Sequence, residues 1–510
     1  MGSTNFITKT IKDSFCIILI LILATVLLSI NIDKTFIGHH DWNGAFWGSQ
    51  ARDYLTILNL NHEGQTSNEV TFRQVFYSHY SPVLPVLFSI SAYIFGLNEI
   101  SLRLVPMVFS LIMIFFIYKI GEKIYGKTTG VLAAALAIVT PMYIYFGKLP
   151  DHEPIAASLI TASFYFYLLS LNGNKKAYFA FLFFLLLSLL ESWPTFFIVF
   201  PLVIFSIVIK KEKINKSLIP LLIACLVLAS HLFFVGTIKG VDSITQFIQQ
   251  GFFRIGKDSL QVALPKFSLD HFLITEARYA VIYYTRILIF LSLIWIVTFL
   301  LKIKATTKKE ISLLILLIYP SLFIFAFKQL AFIHDYKLYY YLPFIALTSA
   351  RIIEKLTGFL RDLVKQSKSN KYYLNFLQIL VVVAILFFVA TERIEYLTTL
   401  LKTSFNKPGY ELGMLINQKT LPENTILINS IQFKEFFEVF VTYYSDRRVQ
   451  YQNITLDDFL NKESEYLAFD YLVLIHERDV DPNLESYLSR IYYSERSNSY
   501  NVFHLKKKLI

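Results

Sequence analysis

The residues best suited to chemistry fall in three short clusters. Lys148-Leu149-Pro150-Asp151-His152-Glu153-Pro154 places two carboxylates one residue apart with an imidazole between them. Asp151 and Glu153 at that spacing can share one divalent cation through hard oxygen ligands, or orient a phosphate-bearing substrate. The plain alternative is a helix cap, because Asp151 stands just ahead of Pro154 and a new helix. In His39-His40-Asp41-Trp42-Asn43-Gly44, the Asp41 carboxylate can take a proton from an acceptor hydroxyl as general base; here too an N-cap is the alternative. The third cluster, Phe332-Ile333-His334-Asp335-Tyr336-Lys337, leads into Tyr339-Tyr340-Tyr341-Leu342-Pro343. Lys337 can neutralise a lipid-linked phosphate to which the phenols donate hydrogen bonds, although Tyr also forms aromatic belts at membrane boundaries.

Long apolar runs must position these clusters. The chain has 510 residues, 55% of them hydrophobic and only 17% charged. Many apolar residues sit in runs close to the roughly 17–25 residues that cross a hydrocarbon core, so this is an integral membrane protein. Candidate spans are 15–32, 100–118, 128–146, 154–171, 177–192, 195–209, 217–236, 284–301, 311–327, 336–353 and 373–391, about eleven in all. The first is full length and is read as a retained span, not as a cleaved leader. Cys16 and Cys225 both fall in apolar runs and make no disulfide framework.

The net charge of +11 does not point to nucleic acid. Its Lys and Arg gather in alternate loops: Lys119, Lys123 and Lys127; Lys175 and Lys176; Lys210 to Lys216; Lys302 to Lys309; and Arg351 to Lys371. The positive-inside rule puts these loops and the N-terminus in the cytoplasm. Pro82 to Leu97 is then an interfacial or re-entrant helix, since a crossing there would send every later basic loop outside. Acids, His and a few cations collect at the opposite ends of the spans, where an ionisable group is costly and usually functional.

The expected organisation is a polytopic α-helical membrane domain, 1–394, and a small extracytoplasmic α/β domain, 395–510. The membrane domain carries a first external loop at 33–99, a second at 147–153 and a large one at 237–283. In the C-terminal part, Thr425-Ile426-Leu427-Ile428 and Tyr471-Leu472-Val473-Leu474-Ile475 read as buried strands, Phe433 to Tyr444 and Leu484 to Tyr493 as helices, and Tyr500 to Leu505 as a last strand.

Several of these features, in this order, resemble the membrane glycosyltransferases of the GT-C fold, in particular the protein O-mannosyltransferase and lipid A aminoarabinose transferase branch. They are Asp41 soon after the first span, Ala51-Arg52-Asp53-Tyr54, His79-Tyr80-Ser81-Pro82-Val83-Leu84, Phe95-Gly96-Leu97-Asn98-Glu99 with Arg103-Leu104, Tyr125-Gly126-Lys127, Pro141 with Asp151, and His334-Asp335-Tyr336 with Pro343. The family often has Asp-Glu where this chain has Asp41-Trp42, and Pro-Pro where it has Ser81-Pro82.

The resemblance implies transfer of a sugar from a polyprenyl-phosphate donor to an acceptor hydroxyl on the extracytoplasmic face, with inversion. Asp41 would be the base. Arg52, Lys148 and Lys337, with His79, Tyr80, His334, Asp335 and Tyr336, would hold the donor. Asp151 and Glu153 would orient substrate or bind a divalent metal cation. The partners implied are the lipid-linked donor, a glycan, lipid or protein acceptor and the bilayer, with no nucleic acid. Two rival classes are a polysaccharide polymerase or ligase using a diphosphate carrier and a lipid-linked sugar transporter. A polymerase would want an Arg-rich external loop, but 237–283 has only Arg254 and Arg278 beside Lys239, Lys257 and Lys266. A transporter would want paired repeats and charges near mid-bilayer; neither pattern is present.

Overall fold

The computed structural model describes residues 2–58, 77–255, 267–365, 371–476, 481–496 and 499–509. Lys257 and Lys266 of the large loop lie outside them. The chain divides into two compact units. The first comprises Met1–Ile32, Arg73–Leu87 and Ile100–Leu401; the second comprises Asp33–Phe72, Phe88–Glu99 and Lys402–Ile510. The second unit thus takes in segments of the first external loop as well as the C-terminal part.

The first unit is helical. Among the described residues, Glu99–Ile124, Ile219–Lys239, Leu269–Leu301 and Lys308–Ala326 are long and apolar enough to cross a membrane. Phe15–Leu28, Lys127–Ile138 and Trp193–Ile209 are shorter apolar helices. Val83–Phe95 has 13 residues, short of a full crossing.

The helices are interrupted where the polar clusters lie. Lys127–Ile138 gives way to a π turn at Met142–Phe146, which runs into the loop ahead of Asp151. At Gly147 an added Cβ would sit 2.4 Å from the Tyr143 carbonyl oxygen, so this tight exit needs glycine. A 3₁₀ turn at Trp193–Ile198 follows the helix Lys175–Glu191, and another at Asp335–Tyr341 precedes the helix Leu342–Lys365. Inside Leu269–Leu301 the helix breaks at Thr285, whose φ is +69°, an outlier for a β-branched residue. The break aims Tyr283 at Asp335 and Tyr284 at the carbonyl of Leu338. Irregular backbone at membrane depth survives only where it is buried in protein or lines a cavity, and these turns carry the residues of interest.

The second unit contains a five-stranded sheet of order β2-β1-β3-β5-β4. Its strands are β1 Thr425–Asn429, β2 Arg448–Tyr451, β3 Tyr471–Ile475, β4 Tyr492–Arg496 and β5 Tyr500–Lys508. β1 pairs in parallel with β2 and β3, while β5 is antiparallel to β3 and β4. Side-chain alternation serves two cores. Ile426, Ile428, Val473 and Ile475 face the helices Lys407–Lys419 and Ile431–Ser445 through Leu412, Ile416 and Val441. Leu427, Leu472 and Leu474 face Leu484 and Leu488 of Pro482–Ile491. The expected strands and helices of this part are present. The edge strands β2 and β4 were not foreseen: β2 is short, half exposed and polar, and Tyr492-Tyr493 reads as the end of the preceding helix.

Candidate active site

Asp151 is the N-cap of the helix His152–Ser170, its Oδ1 accepting from the His152 amide at 2.8 Å. The cap alternative is therefore realised, but capping is only part of what the segment does. Asp151, His152 and Glu153 are all buried. Each is drawn into a polar cluster, as buried ionisable groups require.

Lys337 comes from the 3₁₀ turn Asp335–Tyr341, and its ammonium donates to Glu153 Oε1. Burial and the neighbouring Asp151 carboxylate push Glu153 up toward neutrality. Burial would also raise Asp151, but the Lys337 ammonium and His152 outweigh it and hold this carboxyl below its usual range. One ammonium thus balances the pair. The positive charge at Glu153 is a lysine's, and a metal ion shared by Asp151 and Glu153 would have to displace it. As arranged, the two carboxylates fit an ammonium and not a metal.

The three-residue repeat of the 3₁₀ turn sends Tyr340 the same way as Lys337, and the Tyr340 hydroxyl reaches Ser192 Oγ at 3.5 Å. Tyr336 and Tyr339 share another side: Tyr339 meets Ser110 Oγ at 2.8 Å, and the Tyr336 ring centroid lies 4.8 Å from the Lys337 ammonium and 5.2 Å from the His334 ring. Asp335 accepts from the Tyr283 hydroxyl, which also lies 3.3 Å from the Tyr396 hydroxyl. Lys148 is buried and donates to the Ile30 carbonyl.

His152 Nδ1 lies 3.0 Å from Glu191 Oε1, at the end of the helix Lys175–Glu191. The Tyr80 ring stacks on the His152 imidazole with centroids 4.1 Å apart. Beyond Tyr80, the Arg254 guanidinium sits 5.8 Å from the ring centroid and hydrogen-bonds Tyr77. Trp193 Nε1 donates to the His79 carbonyl at 2.5 Å, and His231 Nε2 lies 2.9 Å from the Ser78 carbonyl. Burial, with Arg254 and His231 nearby, pushes His79 down to about 4, which keeps this imidazole neutral at physiological pH.

Two cavities meet here, both walled by Tyr80 and Trp193. One, of about 290 Å³, is lined by Phe196, Phe197, Phe247 and Phe327 and bears Arg254 and His79. The other, of about 210 Å³, has Glu191, Ser192 and His231 in its wall. His79 Nδ1 and Glu191 Oε2 are buried with no hydrogen-bond partner among the described residues. Such a group costs about 1–3 kcal/mol, more when charged, and both residues belong to a cavity wall.

The structure brings His79, Tyr80, Asp151, Glu153 and Lys337 together, with His334, Asp335 and Tyr336 on the same turn as Lys337. Asp41 and Arg52 belong to the second unit. Asp41 opens the helix Asp41–Ile57 behind an N-cap at His40. Its carboxylate does not cap that helix: Oδ2 accepts upstream, from the amides of Ile37 at 3.1 Å and Gly38 at 2.7 Å. Arg52 is paired with Asp446 at 2.8 Å and donates to the carbonyls of Thr442 and Tyr443. In this structure it anchors the C-terminal end of Ile431–Ser445. Sequence reasoning passed over Arg254 and Glu191. Arg254 counted only as one of two arginines in the large loop, and Glu191 only as one of several span-end acids; the Glu191-Ser192-Trp193 run just after an apolar helix was the available signal.

Residues 79–234, which include most of this cluster, match the model of the dolichyl-phosphate-mannose-protein mannosyltransferase family. The whole chain resembles ArnT from Cupriavidus metallidurans bound to undecaprenyl phosphate, with 12% identity and a TM-score of 0.62 over 96% of this chain and 98% of that one. It also resembles the Archaeoglobus fulgidus oligosaccharyltransferase in the apo form, with 15% identity and a TM-score of 0.58 over 96% of this chain and 73% of that one. A search of curated proteins found no match. The fold is that of ArnT and of the archaeal oligosaccharyltransferase.

Proposed function

We propose that this protein transfers a sugar from a polyprenyl-phosphate donor to an acceptor hydroxyl, with inversion at the anomeric carbon. The observation that carries the reading is the pair of adjoining cavities, one aromatic with Arg254, the other bearing the unpartnered carboxylate oxygen of Glu191. An isoprenoid chain suits the aromatic walls, and a phosphate suits the guanidinium. Sugar hydroxyls suit His79 Nδ1 and Glu191 Oε2. Undecaprenyl phosphate bound to ArnT and dolichol phosphate bound to the archaeal enzyme support a donor of this class.

Asp41 is the proposed base, oriented by the amides of Ile37 and Gly38. It removes the acceptor proton as the acceptor oxygen bonds to the anomeric carbon; the bond from that carbon to the phosphate oxygen breaks, and polyprenyl phosphate leaves. Among the cations, Arg254 is the proposed phosphate ligand because it lines the aromatic cavity, whereas Arg52, Lys148 and Lys337 are committed to carbonyls or carboxylates elsewhere. A divalent cation has been recorded in the archaeal oligosaccharyltransferase with zinc and sulfate. In this chain Lys337 is bonded to Glu153, so transfer is proposed to need no metal at Asp151 and Glu153. The about eleven spans of the charge pattern put the N-terminus in the cytoplasm and the C-terminal domain and the chemistry outside.

The test is transfer from radiolabelled polyprenyl-phosphate and polyprenyl-diphosphate sugars by the full chain in lipid, beside Asp41→Asn. Acceptor-dependent release of free polyprenyl phosphate that is lost in Asp41→Asn is the expected result. Turnover of the diphosphate donors alone points to a polymerase or ligase, and movement of donor across the bilayer without release points to a transporter.

A further inference from the structure

A second polar site lies well away from the first. Along the helix Leu342–Lys365, at about 1.5 Å per residue, Lys355 sits roughly 20 Å from the end that follows Lys337. Beside the helix Lys371–Thr391 it borders a cavity of about 670 Å³. Arg351, Lys355 and Arg361 line one part of this cavity, and Ile379, Val382 and Val383 another.

The cations there are only partly satisfied. Arg351 pairs with Glu354 at 2.7 Å and lies over the Tyr125 ring at 4.7 Å, but its Nε is buried without a hydrogen-bond partner among the described residues. The one carboxylate in the wall, Glu354, is already taken by Arg351 and the Thr129 hydroxyl. Arg361 reaches Asp362 only at 3.8 Å. Burial and the charges of Arg351 and Lys302 push Lys355 down, with Glu310 and Glu354 opposing. Counting these neighbours, Arg351, Lys355, Arg361 and Lys302 face Glu354, Glu310 and Asp362, which leaves a net positive charge next to an apolar wall.

We propose that this cavity binds the phosphate headgroup of an anionic membrane lipid, with its acyl chains along Ile379, Val382 and Val383. A basic pocket between helices at a membrane boundary suits such a headgroup, and the apolar wall separates a lipid from a free phosphate ion. The proposal stands apart from the transfer reaction, and takes from it only the orientation that places these residues toward the cytoplasmic leaflet.

The experiment is native mass spectrometry of the full-length protein, purified in detergent and titrated with dioleoyl phosphatidylglycerol, dioleoyl phosphatidylcholine or inorganic phosphate. Wild type is expected to retain phosphatidylglycerol over phosphatidylcholine. Lys355→Gln/Arg361→Gln should bind it about 30-fold more weakly, each lost charge contributing about five- to sixfold. Lys355→Arg/Arg361→Lys keeps the charge and should keep the binding, which separates lost recognition from lost folding. Lys175→Gln/Lys176→Gln, in a different basic loop, should behave as wild type. Equal retention of both lipids, an equal loss in the Lys175/Lys176 variant, or binding of inorganic phosphate in place of the lipid overturns the proposal.

Discussion

The Lys337 ammonium and the Glu153 carboxyl, 184 residues apart in sequence, are hydrogen-bonded with both side chains almost fully buried. A buried pair of this kind is weak evidence for stability in itself, yet removing one partner strands the other. Lys337→Met should therefore destabilise the protein by about 3–5 kcal/mol, read as a fall in the thermal midpoint in detergent. Lys337→Met/Glu153→Gln should recover much of that loss. If the double variant is as unstable as the single, Lys337 matters for something other than Glu153.

Arg254 should act on donor affinity. Arg254→Gln removes one charge-assisted contact to phosphate, worth about 1.5–3 kcal/mol, so KM for the polyprenyl-phosphate donor should rise by at least about tenfold with little change in kcat. A fall in kcat at unchanged KM would place Arg254 in the chemical step instead.

Asp41→Asn keeps an oxygen to accept from the amides of Ile37 and Gly38, so the fold around it should persist. A lost general base costs about 10²–10⁴ in rate. Single-turnover transfer with prebound donor is the measurement, and near-normal turnover would falsify the assignment of Asp41 as base.

Metal removal gives a third kinetic check. Because Lys337 faces Glu153, Glu153→Gln should leave the response of the transfer rate to chelation, and to added zinc or manganese, the same as in wild type. A chelator-sensitive rate restored by one of these ions would mean that a cation enters the reaction by a route other than the ammonium pair.

Asp53 makes stability depend on pH. Burial raises it from the ordinary 3.8 to about 6, with Arg52 opposing and Asp446 adding. A carboxyl raised on folding contributes stability that is fully present below about pH 4 and is lost as pH rises through about 6. Asp53→Asn does not titrate, so relative to wild type it should gain on the order of 3 kcal/mol between about pH 4 and pH 8. Melts of both proteins across that range decide it; a constant difference would mean that Asp53 titrates normally.

The strands β1, β3 and β5 and the helices around them were legible because a sheet covered on both faces needs short continuous apolar runs, and Ile426, Leu427 and Ile428 supply one openly. Membrane residence followed from run length, and the polar clusters stood out because charge beside an apolar run is costly enough to be noticed. The edge strand β4 was not legible, since Tyr492 to Arg496 owes its conformation to β5 and not to its own pattern.

The partners were decided only in three dimensions. Nothing local to Asp151-His152-Glu153 says that Glu153 takes Lys337 and His152 takes Glu191, or that Arg254 comes over Tyr80. Local sequence determines which groups must find a partner, because an unpaired charge in a low dielectric cannot be left unpaired. Which partner each group finds depends on how distant helices pack, and only the tertiary structure records it.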